Sequence, residues 1–568
     1  MNENENHEKG ADDNNETEAT STAPFNCHQC RKSKLKCDRT RPCCSRCANQ
    51  GYECVYSTSR QPYKSRNRGQ AKEMEAKLDR LERLLQNSQT TKALYTYKKQ
   101  HKSEPLSVAS ITPPKDQNDE IVRLGLFEEI PPREFIETLM DIYFNDIHQA
   151  APMLHRQRFM ACLFLPGNTK PPMCLQYIIM AFAAETSDLY RHMGMAFYKR
   201  ARSYLQAHDM DDITQTSISI GHAQAWALTS CFEAEHTMFA KASITLCSAI
   251  RVAQMLNLHQ VDVVQHDENH LVDSIEMEER RRTWWTIFCF DRFVCATTGW
   301  PALIHDHNIK TRLPASDEAY AYGREEHARF LGDQLTDAEP HSSFAGRVLT
   351  AHIFHRTIEH NSDNSQGKET QDFINDAYWK RHNAIDNDLE FMLLMLPKSL
   401  CLPANYRNHN AVFVNTMLHT ATICLHRAAL WKMKSNLQGL PSYMIRLSQD
   451  RLIPAAEEIL NIFRMIPNLN TTFANPLICF SAYMAALVFL SSTTPTQPDS
   501  QSEENLNFIL KIMVAFCDNN LVANAVANEI VKEMKQCGIV SATMDKLNLQ
   551  NTPIDIPLLA TQRLYSSF

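Results

Sequence analysis

Seven of the eighteen cysteines are concentrated between Cys27 and Cys54. Six of them follow the spacing C-x2-C-x6-C-x6-C-x2-C-x6-C, namely Cys27, Cys30, Cys37, Cys44, Cys47 and Cys54. A structural zinc ion takes four ligands in a tetrahedron, and each C-x2-C turn can present two thiolates to one metal. Six thiolates fill the eight positions around two zinc ions if two of them bridge both metals. The pattern therefore predicts a site for two zinc ions per chain.

The seventh cysteine of this segment, Cys43, offers an alternative ligand, because it could ligate through a C-x3-C spacing to Cys47. We favour Cys44, which preserves the C-x2-C turn and places Pro42 two residues ahead of the ligand. No secretory signal peptide is visible at the N-terminus, so the chain is expected to stay inside the cell. Reducing conditions there make the cluster a metal site rather than a disulfide framework.

Charge is distributed unevenly along the chain. Residues 27–72 contain twelve Lys and Arg against two acidic residues, a local charge of +10, so the remainder carries −17 of the formal net −7. A small basic module attached to an acidic body indicates a polyanionic partner for the module alone.

The cysteine segment, including KCDRTRP at 36–42, resembles the DNA-binding module of the fungal zinc binuclear-cluster transcription factors. The resemblance implies that Cys27 and Cys44 bridge the two zinc ions. One zinc would take Cys27, Cys30, Cys37 and Cys44, and the other Cys27, Cys44, Cys47 and Cys54. It also implies that a short helix starting after Cys30 enters the major groove. There Lys34 aligns with a lysine that reads a guanine of a CGG triplet, whereas Ser33 departs from a common family pattern with a second basic residue.

The chemistry of the basic residues agrees with these roles. A lysine ammonium can donate to guanine O6 and N7 in the major groove, so Lys34 is the expected base-reading residue. Phosphate contacts position a module without specifying sequence. The residues suited to them are Arg31, Lys32, Lys36, Arg39, Arg41 and Arg46.

Six segments follow one another in the predicted organisation. They are a disordered polar tail (1–26), the zinc cluster (27–54), a basic linker (55–71), a short coiled-coil helix (72–86), a polar linker (87–130) and a large body (131–568). In the helix, apolar residues recur at spacings of 4, 3 and 4, which is the seam of a two-stranded coiled coil. The seam residues are Met74, Leu78, Leu81 and Leu85. We therefore expect a homodimer.

The body contains long amphipathic stretches, for example 133–149, 172–185, 239–256 and 279–298. Apolar residues recur in them with helical periodicity, so the expected fold class is mainly α, with an all-helical body. The stretches 144–159, 249–259 and 276–314 resemble the fungal-specific transcription factor regulatory domain. The uninterrupted apolar segment from Leu477 to Leu490 is shorter than the roughly 20 residues of a membrane-spanning helix, which favours a buried core helix.

Two clusters in the body are expected to be structural. The aromatic residues of one stretch should lie in the core, because large aromatic side chains dominate core energetics. They are Trp284, Trp285, Phe288, Phe290 and Phe293. Residues 280–282, all arginines, either pair with nearby carboxylates such as Glu278, Glu279 or Asp291, or form a solvated helix start.

The sequence favours a transcription factor over other function classes. It contains no H-E-x-x-H, G-x-S-x-G, phosphate-loop or dinucleotide motif, so we expect no enzyme activity. A zinc module that binds RNA or protein, with the body as a scaffold, is the alternative. Duplex DNA is preferred because a basic cluster, a linker and a dimerisation helix in that order are typical of a dimeric duplex reader. The expected partners are DNA with CGG-like half-sites and the transcription machinery or co-regulators, in the nucleus and not at a membrane.

Overall fold

The computed structural model describes residues 26–56, 131–165, 169–210, 218–263, 273–333, 342–362, 376–435, 442–466, 475–492, 499–516 and 521–539. The chain divides into two compact units, Met1–Thr112 and Pro113–Phe568. The predicted coiled-coil helix 72–86, with Met74, Leu78, Leu81 and Leu85, lies outside the described residues. The same holds for residues 1–25, 57–71 and 87–130 of the predicted tail and linkers.

Two short helices form the described part of the first unit. Helix α1 spans His28–Lys32 and helix α2 spans Ser45–Gln50. The N-terminal and C-terminal ends of this part meet, because the backbone N–H of His28 donates to the carbonyl of Val55 at 2.8 Å.

The described part of the second unit is helical, and no β-strand occurs in any of the described ranges. Its α-helices are α3 (Arg133–Ile142), α4 (Arg156–Cys162), α5 (Met173–Thr186), α6 (Gly194–Met210), α7 (Ile220–Glu235), α8 (Phe239–Met255), α9 (Ser274–Thr298), α10 (Asp317–Tyr322), α11 (Ser343–Ser362), α12 (Ala377–Leu394), α13 (His409–Ser435), α14 (Ser442–Met465), α15 (Pro476–Ser492), α16 (Ser500–Phe516) and α17 (Leu521–Gln536). The predicted mainly α fold class is confirmed.

Helices that follow one another in sequence also pack against one another. The pairs α5–α6, α7–α8 and α13–α14 form extensive contacts, and the run continues from α9 through α11 to α13. Short connections keep the three consecutive pairs adjacent in space, whereas α9, α11 and α13 pack together across much longer connections.

Helix α9 places its aromatic residues in the core. Its N-terminus is capped by Asp273, whose carboxylate accepts the N–H of Ile275, and it ends at Gly299 in the left-handed conformation. Trp284, Trp285, Phe288 and Phe293 are buried, and Phe290 packs half-buried against the same core. The prediction that these residues are structural is confirmed.

Arg280, Arg281 and Arg282, three of the four arginines of α9, form ion pairs rather than a solvated helix start. Arg282 is 1% exposed and bonds Glu278 of the same helix and Asp317 of α10, both at 2.9 Å. Arg281 pairs with Asp262 at 2.6 Å, whereas the more exposed Arg280 reaches Glu276 at 3.4 Å.

Helix α15 is buried on all sides. Pro476 opens it, a position where the missing N–H of proline costs no hydrogen bond. Every residue from Leu477 to Leu490 is buried, and α13, α14, α16 and α17 surround the helix. The predicted core helix is confirmed. Within the described residues, no helix combines the length and the apolar character needed to cross a membrane.

Candidate metal centre and nucleic-acid interface

A cysteine caps the N-terminus of each of the two described helices of the first unit. The Sγ of Cys27 accepts the N–H of Cys30 at 3.4 Å, and the Sγ of Cys44 accepts the N–H of Cys47 at 3.5 Å. A sulfur at the N-cap thus takes up a backbone donor that the helix leaves unpaired. The two C-x2-C turns therefore have the same local structure, seventeen residues apart in the chain.

The cysteine sulfurs form two groups of four. Cys27, Cys30, Cys37 and Cys44 make one group, and Cys27, Cys44, Cys47 and Cys54 make the other. The Sγ of Cys27 lies 3.8 Å from that of Cys44 and 3.7 Å from that of Cys47, and Cys30 lies 3.8 Å from Cys44. Zinc–sulfur bonds of about 2.3 Å in a tetrahedron place neighbouring sulfurs about 3.8 Å apart. The donor set and its spacing therefore fit two zinc ions that share Cys27 and Cys44.

The extra cysteine, Cys43, stands outside both groups. It is half-buried, and its Sγ donates to the carbonyl of Cys44 at 3.6 Å. Cys44, by contrast, is fully buried and contributes its sulfur to both groups. The backbone thus directs the two adjacent side chains to different surroundings.

The environment of the sulfurs affects how readily they ionise. Burial raises the pKa of the Cys27, Cys30 and Cys47 thiols. Burial favours a higher pKa for the Cys54 thiol as well. Hydrogen bonds outweigh this effect, among them the bond from the N–H of Cys44 to the Cys54 sulfur at 3.3 Å, and the pKa of the thiol is lowered to about 7. Because zinc binds thiolates, metal binding must release the protons of the buried thiols, and binding is coupled to folding and to pH.

Side chains outside the cysteine pattern tie the loops of the module together. The carboxylate of Asp38 accepts the N–H of Ser45 at 3.0 Å and also the Ser45 hydroxyl. The hydroxyl of Tyr56 donates to the carbonyl of Thr40 at 2.8 Å. Asp38 and Tyr56 are not among the site residues predicted from the sequence. A signal was present, since Asp38 directly follows the third ligand of the pattern and Ser45 directly follows the fourth.

The seven predicted DNA-contacting residues are all exposed. Four lie on or just after α1, two in the loop between the helices and one on α2: Arg31, Lys32, Lys34, Lys36, Arg39, Arg41 and Arg46. The expectation that the helix starts after Cys30 is wrong, because it starts at His28 and Cys30 is its third residue. The reason is the N-cap bond of Cys27, which fixes the first turn before Cys30.

Lys34 lies beyond the end of α1, in the left-handed conformation with φ of 54°. The N–H of Lys34 donates to the carbonyl of Arg31, and the N–H of Leu35 donates to that of Cys30. This is a Schellman motif, in which the left-handed position is usually glycine. In α2 the equivalent position is Gly51, with φ of 68° and the same pair of bonds, from Gly51 to Ala48 and from Tyr52 to Cys47.

A lysine at this position carries a conformational cost that glycine would avoid. Non-glycine residues held in such conformations cluster at functional sites. Lys34 and Arg39 are the two basic residues of the described module with such a conformation, and Lys34 is the one at the end of α1.

Two further arginines are held by neighbouring groups. Arg39, which also has a positive φ of 64°, donates from Nε to the side-chain oxygen of Asn26 at 3.0 Å. The Arg41 guanidinium lies 5.9 Å from the centre of the Tyr56 ring. These contacts restrict where both charges can reach.

Two family models match the chain. Residues 25–63 match the fungal Zn(2)-Cys(6) binuclear cluster domain, and residues 140–391 match the fungal specific transcription factor domain. The chain belongs to the fungal zinc binuclear-cluster transcription factors. Members of this family bind DNA sequence-specifically through a cluster of two zinc ions, and the two sulfur groups of this transcription factor provide that cluster.

Curated relatives agree with the assignment to this transcription factor family. The pigment biosynthesis transcriptional activator of Monascus ruber is 23% identical, over 72% of this chain and 74% of its own length. The citrinin biosynthesis transcriptional activator of Monascus purpureus is 23% identical, over 80% and 83%. The sorbicillinoid biosynthetic cluster transcription factor 1 of Penicillium rubens is 24% identical, over 90% and 93%. No solved structure matches the chain.

Proposed function

We propose that this transcription factor reads CGG-type triplets, with Lys34 as the residue that contacts the guanine bases. The position of Lys34 carries this proposal: an exposed ammonium at the end of α1, on a backbone conformation that glycine would adopt more easily. A lysine there can donate to guanine O6 and N7 in the major groove. The other exposed basic residues of the module serve as phosphate contacts, and the six cysteines Cys27, Cys30, Cys37, Cys44, Cys47 and Cys54 serve as the zinc ligands.

The proposal includes binding as a homodimer. One module contacts only a triplet, and a single triplet occurs too often in a genome to select a gene. The helix 72–86, with its seam of Met74, Leu78, Leu81 and Leu85, would join two chains. Two heptads associate weakly, but two modules on neighbouring triplets hold the chains at high effective concentration. Residues 55–71 would then set the spacing of the half-sites.

The biological role we propose is activation of the genes of one biosynthetic pathway in the nucleus. The relatives support this role, because their names refer to the biosynthesis of a pigment and of citrinin and to a sorbicillinoid biosynthetic cluster. The helical body would connect the DNA-bound module to the transcription machinery or to co-regulators.

A binding titration tests the proposal. Zinc-loaded full-length protein is titrated at fixed salt against labelled duplexes with two CGG triplets, the same duplexes with scrambled triplets, and single-stranded RNA of equal length. We expect the CGG duplex to bind about a thousandfold more tightly than the scrambled duplex. Equal affinity for all three would instead support a polyanion-binding scaffold. Repeating the titration at several salt concentrations separates phosphate contacts from base contacts, because only the former give a steep salt dependence.

A further inference from the structure

A side-chain hydrogen bond joins Asn26 to Arg39 on the surface of the zinc module. The Nε of Arg39 donates to the Oδ1 of Asn26 at 3.0 Å. Asn26 directly precedes Cys27, whose sulfur belongs to both sulfur groups. Arg39 follows Cys37, a member of the first group, by two residues. The bond therefore links two points of the chain that the first sulfur group already brings together.

The backbone of Arg39 is fixed as well. Its φ of 64° lies in the left-handed region, and its N–H interacts with the sulfur of Cys37. A residue other than glycine keeps such a conformation only where its surroundings determine it. Contacts at both ends of the side chain therefore leave the guanidinium few positions in the free module.

Arg39 differs in this respect from the other basic residues assigned to phosphate contacts. Within the described residues, none of those five side chains forms a hydrogen bond or an ion pair: Arg31, Lys32, Lys36, Arg41 and Arg46. Arginine and lysine side chains have many rotamers, so ordering one of them on DNA costs free energy. Part of this ordering has already taken place for Arg39 when the module folds.

The bond to Asn26 fixes the guanidinium without neutralising it. The side chain of Asn26 is an uncharged amide, and no carboxylate of the described residues forms an ion pair with Arg39. The adjacent carboxylate, that of Asp38, accepts hydrogen bonds from Ser45 instead. A guanidinium presents its donors in a planar fork, and with Nε bonded to Asn26 the two terminal nitrogens can bind a phosphate bidentately.

We propose that Asn26 is a positioning residue that holds Arg39 as a preformed clamp for one phosphate of the DNA backbone. Arg39 contacts the phosphate through its two terminal nitrogens, while Asn26 holds Nε and does not itself touch DNA. The inference rests on the phosphate-contact role proposed above for Arg39, and it does not depend on recognition of CGG triplets.

Titration of the zinc-loaded full-length protein with CGG and scrambled duplexes at several salt concentrations tests the proposal. Asn26→Ala keeps the charge of Arg39 but releases its side chain. We therefore expect affinity for both duplexes to fall by the same factor, about three- to tenfold, at every salt concentration. Arg39→Gln removes the phosphate contact, so it should also reduce the slope of log affinity against log salt concentration by about 0.9.

A double-mutant cycle separates positioning from other effects of the substitution. In the Arg39→Gln protein, Asn26→Ala should cause no further loss of affinity, because the residue that it positions is absent. Asn49→Ala is the matched control. Asn49 is an exposed asparagine of α2 whose side chain has no hydrogen bond within the described residues, and its substitution should change neither affinity nor slope.

Zinc analysis of each variant shows whether the module is intact. If Asn26→Ala loses zinc, Asn26→Asp replaces it, because a carboxylate keeps the bond to Nε but neutralises Arg39. Asn26→Asp should retain both zinc ions and reduce the salt slope as Arg39→Gln does; an unchanged slope would overturn the proposal.

The remaining outcomes distinguish this proposal from the role of Arg39 itself. Unchanged affinity in Asn26→Ala, beside a loss in Arg39→Gln, would refute the positioning role alone. Unchanged affinity in Arg39→Gln would refute the phosphate contact as well. A greater loss on the CGG duplex than on the scrambled duplex in Asn26→Ala would assign Asn26 to the fold of the module and would also refute the clamp.

Discussion

The sulfur atoms of Cys27 and Cys44 lie 3.8 Å apart, and each belongs to both groups of four sulfurs. Each also caps the helix that follows it. The same two side chains therefore connect the two metal positions and fix the first turns of α1 and α2. Their loss should affect the whole module rather than one half of it.

Substitution of the shared cysteines should therefore remove both zinc ions. We expect Cys27→Ser and Cys44→Ser each to lower the zinc content of the purified protein from two ions per chain towards zero, because a segment this small folds only with its metal. Zinc can be measured by mass spectrometry of the native protein. Cys43→Ser is the matched control and should retain two ions. Full zinc retention by Cys44→Ser, with loss in Cys43→Ser, would assign the ligand role to Cys43.

Lys34 has a left-handed backbone conformation. Substitution by alanine and by glycine therefore distinguishes the contribution of its side chain to DNA binding from that of its backbone. Lys34→Ala and Lys34→Gly should each weaken binding to a CGG duplex by about 1 to 3 kcal/mol and reduce discrimination against altered triplets. Lys34→Gly should at the same time raise the free energy of unfolding of the module by about 1 kcal/mol, because glycine adopts this φ without the steric cost that other residues carry. If glycine restored DNA affinity relative to alanine, the backbone rather than the ammonium would be responsible. Equal loss on specific and random DNA would exclude base reading.

If residues 72–86 form the dimer, substitutions in this helix should reduce the affinity for paired triplets more than the affinity for a single triplet. Replacing both Leu78 and Leu81 by Lys should reduce affinity for a paired site by at least about tenfold more than for a single triplet, since only the paired site uses the second chain. Ala76→Lys with Gln86→Lys adds the same two charges outside the predicted seam and serves as the control. Titrations at fixed salt and zinc analysis measure both effects. A parallel loss on both kinds of site would argue against a dimer formed by this helix.

Substitution of Arg282, one of the two buried arginines of α9, should strongly lower the stability of the body. Arg282→Ala leaves the carboxylate of Glu278, which is 4% exposed, without its closest cation. Breaking a buried pair in this way costs about 3 to 5 kcal/mol. Arg280→Ala, on the same helix but partly exposed, should change the free energy of unfolding by less than about 0.5 kcal/mol. Urea unfolding followed by circular dichroism compares the two, and similar midpoints would show that the buried network is unimportant.

The sequence was sufficient to predict those features of the structure that depend on local interactions. The spacing of the cysteines and the helical periodicity of the body both depend on residues a few positions apart, and both expectations agree with the structure. Lys34 shows the limit of prediction from sequence. Its left-handed conformation depends on the hydrogen bonds that end α1, and a lysine does not indicate such a conformation as a glycine would. Arg282 shows another, since Asp317 lies 35 residues away and is brought to it only by the packing of α9 and α10.

A cavity of about 280 Å³ among α13, α14, α15 and α17 could not have been predicted in this way. Its lining combines residues from Arg427 to Cys537, on four helices. Periodicity identifies the buried face of each helix, but the space left between four buried faces depends on how their side chains fit together. Packing of this kind is set by the whole body and not by any one segment.

The burial of α15 on every side has a consequence for genetics. Helix α17 covers part of α15 with its own apolar residues, among them Val522, Val526 and Ile530, all of which are buried. A nonsense mutation shortly before codon 521 would leave the module and most of the body encoded, yet it would expose apolar surface at the centre of the last helices. Such late-truncation alleles should behave as recessive null alleles through protein turnover, even though every DNA-contacting residue is still translated.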